Sequence, residues 1–183
     1  CSSDLYQGGE FWNDKPEPVR PIDDLDIQLK ESLKGNIVAS KRISDNLLKE
    51  RPNCNRTKFN AGWHSLNEGR LQEGHKFLDF GRKENIFGKT PPSSAPIWNG
   101  ETSCTVLMNM EGGLGDQIKS YRFASDVQSM GNKVFVSCSA DLVSIFSEKF
   151  ITVQHEAACG VYHDYYVPSM SAVLSLRYEY EDI

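Results

Sequence analysis

The spacing of apolar residues changes once along the chain. Up to about residue 87 they recur every three or four positions, and from residue 104 they come as short runs separated by helical spacings. In the first part, Asp23 and Asp24 suit a helix N-terminus behind Pro21, and Leu25, Leu29 and Leu33 recur every fourth residue up to Gly35. This predicts a helix with those leucines inward. A second helix is predicted over 36–50 with Ala39, Ile43 and Leu47 on one face, stopping before Pro52. The third covers 55–68 and presents Phe59, Trp63 and Leu66; the fourth covers 71–85 with Leu71, Gly74 and Leu78 inward. Trp63 and Phe77 read as core residues.

After residue 104 the grammar is that of alternating strand and helix. Strands are predicted over 105–110, 133–138, 151–154 and 162–167, with helices over 116–130, 141–149 and 169–176. The fold class is therefore α/β: helical hairpins followed by a parallel sheet covered on both faces, a Rossmann-like lobe. Ligands of such sheets bind beyond the carboxyl ends of the strands, where residues 111–115 must lie.

Four regions follow. Residues 1–21, with three prolines and paired glycines, are expected as an extended arm without a core of its own: a loose tail on the plain reading, or, from Phe11 and Trp12, one that docks on another surface such as a neighbouring subunit. Residues 22–87 are the hairpins, 88–103 a linker rich in proline and serine, and 104–183 the sheet lobe. The hairpins repeat: Gly35/Gly69, Leu29/Trp63 and Ile43/Phe77 all keep one common offset. A helical hairpin recurring every ~34 residues resembles the tetratricopeptide repeat. The small residue expected in the second helix falls at Ala39 in one hairpin and at Gly74, one position on, in the other.

Composition narrows the function classes. With 39% hydrophobic and 25% charged residues the chain reads as folded, and no apolar run approaches a membrane span. A net charge of −5 leaves no basic excess for nucleic acid. Five cysteines, an odd number without C-x-x-C spacing, point to a reducing cytoplasmic setting, with no zinc and no disulfide framework. Cys1-Ser2-Ser3 also fits the mature end of a lipid-anchored protein, although a trimmed product is the preferred reading.

The candidate chemistry is concentrated at Glu111-Gly112-Gly113-Leu114-Gly115-Asp116-Gln117, between the first strand and its helix. Glycines there allow positive φ and close approach of a ligand, and the helix start offers free N–H groups. The plain alternative is a tight turn that needs glycine anyway, with Asp116 capping its helix. Ile118 stands where a dinucleotide fingerprint has its third glycine, so no NAD or other cofactor is expected. Gly88-Lys89-Thr90 lacks the upstream glycine of a phosphate loop, because position 83 is lysine. His155 and His163 flank a loop that could face the cleft, and His163-Asp164 could orient a base; His64 and His75 have no metal-ligand spacing.

Trp98-x-Gly100-Glu101, Val106-Leu-Met-x-x-Glu111-Gly-Gly-Leu-Gly-Asp-Gln-Ile118, Tyr121-Arg122, Gly131-x-x-Val134, Leu142, Asp164 and Pro168-x-Met170-Ser171 occur in that order. This resembles the linker and amino-terminal half of bacterial tetratricopeptide-repeat glycosyltransferases related to the ADP-heptose:lipopolysaccharide heptosyltransferases, over about residues 55–176. The resemblance implies half of a GT-B fold in a bacterial or phage protein. This lobe would supply the acceptor side, and the other would bind a nucleotide-sugar. By the same resemblance Asp116 is the general base toward a glycan acceptor hydroxyl. Gly112, Gly113, Leu114 and Gly115 line the substrate, Gln117 hydrogen-bonds it, and Arg122 anchors the helix. Two departures stand out: the donor-binding lobe is absent from these residues, and Ser169-Met170-Ser171-Ala172 replaces the family's Ser-Leu-Pro. The resemblance therefore implies an incomplete transferase, and a non-catalytic interaction or assembly module, or a homo-oligomer, is the competing reading.

Overall fold

The computed structural model describes residues 23–87, 93–179 and 181; the arm around Phe11 and Trp12 and the Gly88-Lys89-Thr90 segment lie outside them. Helix α1 (Asp24–Leu33) starts in a capping box, in which Asp23 accepts from the N–H groups of Leu25 and Asp26 while Asp26 accepts from that of Asp23. The chain then forms α2 (Ile37–Glu50), α3 (Asn55–Asn67), α4 (Leu71–Leu78) and α5 (Phe80–Lys83). The predicted fourth helix is thus two, joined at Asp79.

Helices α1 and α3 end alike. Gly35 (φ +81°) and Gly69 (φ +77°) are left-handed, a conformation open to glycine without steric cost. Their N–H groups donate to Ser32 and Leu66, and the following residues, Asn36 and Arg70, donate to Glu31 and Ser65. The same two-bond cap therefore recurs one repeat further along the chain.

The two hairpins differ inside. Gly62 and Gly74 let α3 and α4 touch backbone to backbone: a Cβ at Gly62 would sit 2.9 Å from the Gly74 carbonyl oxygen. At the matching positions one repeat earlier the first hairpin has Gln28 and Ser40, both buried, with the Ser40 hydroxyl donating to the Gln28 carbonyl at 3.0 Å. The small residue of the first repeat is therefore Ser40, not Ala39. The leucine stripe of α1 also turns outward, Leu29 being 50% and Leu33 81% exposed. The reason lies in α3, whose facing residues are polar. Asn60 donates to Gln28 Oε1 at 2.9 Å and His64 Nε2 lies 3.2 Å from Gln28 Nε2, so the amide that can pair is the one that goes in.

The sheet comprises β1 (Thr105–Asn109), β2 (Lys133–Cys138), β3 (Ile151–Gln154) and β4 (Tyr165–Pro168), all parallel in the order β3-β2-β1-β4. Helices α6 (Leu114–Ser120) and α7 (Arg122–Ser129) follow β1 in place of one predicted helix, α8 (Val143–Phe146) follows β2, and α9 (Ala172–Leu176) follows β4. One face of the sheet, through Val106, Met108, Val136 and Val167, packs on Phe123, Val127 and Val173 in a core that also takes Leu71 of α4. Leu71 thus ties the hairpins into the sheet's core, while Phe59, Leu78 and Phe87 form a separate cluster on the hairpin side. The opposite face, carrying Leu107 and Tyr166, is covered by Ala158 of the 3-10 helix His155–Gly160 and by Ala95, with no α-helix packed there among the described residues. The segment around Pro96–Trp98, expected as linker, pairs with β4: Trp98 N–H donates to Tyr166, Tyr166 N–H donates to Pro96, both at 2.9 Å, and the Trp98 side chain is fully buried.

The Gly62–Gly74 contact makes a checkable prediction. Gly62→Ala should lower the unfolding free energy by about 1–3 kcal/mol in urea denaturation, because its methyl meets backbone and overpacking outweighs the roughly 1 kcal/mol gain in helix propensity. Unchanged or higher stability would mean that α3 and α4 are not in close contact.

Candidate functional site

The glycine turn leaves the carboxyl end of β1 at the centre of the sheet, beside the point where connections switch from one face to the other. That crevice is closed by a side chain from the turn itself. Glu111, 2% exposed at its side chain, accepts from Arg82 Nε at 2.6 Å and Arg82 Nη2 at 2.7 Å, and from the Met170 N–H at 3.1 Å. Arg82 also donates to Asp79 at 2.7 Å, and Asp79 accepts from Ser171 Oγ at 2.5 Å. Burial pulls the Arg82 pKa down, but the Glu111 and Asp79 carboxylates outweigh it and hold the guanidinium above its usual value. The Glu111 N–H donates to Ser169 Oγ at 3.0 Å, and the Gly112 N–H to the Phe87 carbonyl at 3.1 Å. Helical hairpin and sheet are therefore tied together at the turn.

Within the turn the glycines have different tasks. Gly112 has φ +76°, and a Cβ there would fall 2.7 Å from Asp116 Oδ2, so the chain itself requires glycine. At Gly113 a Cβ would make only ordinary contact, 3.7 Å from Asp116, and at Gly115 it would meet nothing within 4 Å. Neither has positive φ, so those two leave backbone uncovered where the fold asks for no space. Asp116 is exposed and its Oδ2 accepts from the Gly113 N–H at 3.1 Å. It caps its helix and still faces solvent. Leu114 and Ile118, one turn apart on α6, are also exposed.

Gln117 is placed otherwise than expected. It is buried, its amide nitrogen donates to the Gly112 carbonyl at 3.1 Å and to Ser139 Oγ at 2.8 Å, and its oxygen accepts from the Ser139 N–H at 3.0 Å. Its amide clamps the turn to the loop after β2 and is not offered to a substrate.

Two neighbouring cavities border Asp116. One, ≈ 250 Å³, runs between α3/α4 and α6/α7 over Leu66, Leu71, Leu78, Phe123 and Val173, with His75, Lys119 and Arg122 also lining it. The other, ≈ 260 Å³, is lined by Phe59, Phe87, Ile86, Gly112 and Gly113. Asp116, Met170 and Trp63 line both. Trp63, expected in the core, is 47% exposed and stands edge-on to Phe59 at 6.1 Å. Its offset from Leu29 was legible in the sequence; that the position faces outward in both hairpins was not.

His163 and Asp164 sit at the opposite edge. They precede β4, so in a parallel sheet they lie at the amino ends of the strands, a strand's length (roughly 13 Å) from the glycine turn. Asp164 accepts from the Thr105 N–H and from Tyr162 Oη, each at 2.8 Å; the Thr105 N–H holds its carboxyl below the usual range, and the Tyr162 hydroxyl adds to this. His163 Nδ1 donates to the Val161 carbonyl at 2.7 Å, which leaves Nε2 to accept from Ser93 Oγ at 2.8 Å. They orient nothing at Asp116. Among the described residues no cluster of three or more His, Cys, Asp or Glu could hold a metal ion, and no helix is long and apolar enough to cross a membrane. No family model, curated protein or solved structure matches the chain.

Buried His64 and half-buried His75 give the structure a pH dependence. Burial lowers the pKa of His64 and also of His75, whose Nδ1 donates to the Met170 carbonyl at 2.8 Å. The unfolded chain then binds more protons than the folded one below about pH 6.5, so stability is full above that pH and falls as pH drops through it, by at most about 1.4 kcal/mol per unit per histidine. His64→Gln should flatten the fall between pH 6.5 and 5 in urea titrations; an identical pH profile would refute a neutral buried His64. Gln117→Ala should cost about 1–3 kcal/mol by stranding its partners, which calorimetry would detect.

Proposed function

We propose that this chain supplies the acceptor side of a glycosyltransferase-like site of the inverting GT-B type. The observation that carries the reading is Asp116: an exposed carboxylate on a glycine turn, at the carboxyl edge of a parallel sheet, bordering two cavities. The strand order β3-β2-β1-β4 supports a Rossmann-like half of such a fold. The matched glycine caps at Gly35 and Gly69, one repeat apart, support a tetratricopeptide-like pair of hairpins.

In the reaction an acceptor hydroxyl oxygen bonds to the anomeric carbon of a nucleotide-sugar, the bond from that carbon to the diphosphate oxygen breaks, and the nucleotide leaves with the electron pair. Asp116 takes the hydroxyl proton as general base. The uncovered main chain at Gly113 and Gly115 admits a ring close to the turn, and the exposed Leu114 and Ile118 offer an apolar surface beside it to a donor-binding lobe.

A second reading, an interaction module, is favoured by the exposed apolar face of the first hairpin: Leu29, Leu33, Ile37 and Val38. Nucleotide release from a panel of nucleotide-sugars separates the two, measured for the chain alone and with its neighbouring gene product. Asp116→Asn should reduce transfer about 10²–10⁴-fold while leaving stability within about 0.5 kcal/mol. Equal turnover by wild type and variant would overturn the catalytic assignment, and absence of turnover in both settings would leave the interaction module standing.

A further inference from the structure

We propose that Trp63 is the stacking platform of a composite acceptor site. A pyranose ring lies against its indole and turns a hydroxyl toward Asp116, while an apolar aglycone fills the leucine-lined cavity. The inference rests on the reading of Asp116 as acceptor-facing and names the acceptor class: a glycoside with an apolar group next to the ring.

Three observations converge. Trp63 leaves nearly half of a large apolar surface uncovered, on a helix whose Phe59, Ala61 and Gly62 are buried. The repeat explains the outward direction, since its counterpart Leu29 in the first hairpin is also half-exposed, but Leu29 is not among the residues lining the two cavities at the sheet lobe. Trp63 shares both cavities with Asp116, so an aromatic face and a carboxylate border the same space, and Phe59 holds the indole edge-on.

The chemistry of those walls selects the ligand. A sugar ring has one face of C–H groups, which suits an indole, and a rim of hydroxyls, which suits a carboxylate. The ≈ 260 Å³ cavity combines these, with Phe59, Phe87, Gly112 and Gly113 beside Trp63 and Asp116. The adjoining ≈ 250 Å³ cavity has Leu66, Leu71, Leu78, Phe123 and Val173 as its floor, so a bare sugar would leave it unfilled and an apolar aglycone would not. The helical hairpin would then build half of the site, and its attachment to the sheet would set the gap the ring enters.

The test follows the Trp63 indole N–H resonance in ¹H–¹⁵N spectra, with buried Trp98, whose indole donates to the Glu101 carbonyl, as internal reference. The chain is titrated with p-nitrophenyl glycosides, the matching methyl glycosides, p-nitrophenol and a short apolar peptide. A p-nitrophenyl glycoside should shift Trp63 but not Trp98, and bind at least tenfold more tightly than either half alone. Trp63→Ala should lose that binding tenfold or more, while Trp63→Phe keeps it within a few-fold and guards against simple misfolding. An unshifted Trp63 at millimolar glycoside, wild-type binding by Trp63→Ala, or a shift with the peptide and none with glycosides would overturn the proposal. Failure can be assigned. Asp116-dependent transfer with an unchanged acceptor KM in Trp63→Ala removes the platform and keeps the function; Trp63-dependent binding with full transfer by Asp116→Asn removes the general base and keeps the platform.

Discussion

A buried carboxylate needs a partner, and in this protein the partner lies across the boundary between helices and sheet. Glu111 leaves the central strand with its side chain almost wholly out of water, where an isolated charge would be costly. Arg82 meets it with two hydrogen bonds, and the Met170 N–H adds a third. A buried ion pair is weak evidence for added stability, because desolvation offsets most of the attraction. Its effect here is on position, since a planar guanidinium facing a carboxylate admits few arrangements.

From that fixed point the rest of the cleft follows. Asp79 is held by Arg82 and Ser171, His75 by the Met170 carbonyl, and Gln72 by the Tyr178 carbonyl at 2.7 Å, so α4 and its joint with α5 are fastened to the residues on either side of α9. Leu71 adds apolar contact by entering the sheet's own core. The glycine turn is fixed from its other side by Gln117 and Ser139. Between these supports, among the described residues, the space shared by Trp63 and Asp116 stays open beside an accessible carboxylate.

Much of this was legible in the sequence. Strands β1 to β3 and helices α2 and α3 fall within a residue or so of their periodic signals, because apolar spacing there agrees with the packing. The leucines of α1 misled because periodicity reports an apolar stripe and not what the neighbouring helix offers it; α3 offered Asn60 and His64. Trp98 was hidden by surrounding prolines, although a large aromatic in a polar stretch is itself a sign of docking. His163 and Asp164 were expected at the cleft because the loop between His155 and His163 was read as facing it; that loop leads into the amino end of β4 at Tyr165, which puts them at the opposite edge. Arg82 and Glu111 stand on either side of the whole proline-rich segment, a separation at which charge patterning gives no signal, yet an acid directly after an apolar strand could have prompted a search for its base.

The central claim is that the Arg82–Glu111 pair holds the hairpin on the sheet. A double-mutant cycle with Arg82→Ala, Glu111→Ala and the double variant, followed by denaturant unfolding, tests it directly. The account predicts that each single change costs about 3–5 kcal/mol by stranding a buried charge, and that the double variant costs far less than their sum, a coupling of several kcal/mol. Additive losses, with coupling below about 0.5 kcal/mol, would show that the two residues do not act on each other and that something else sets the cleft.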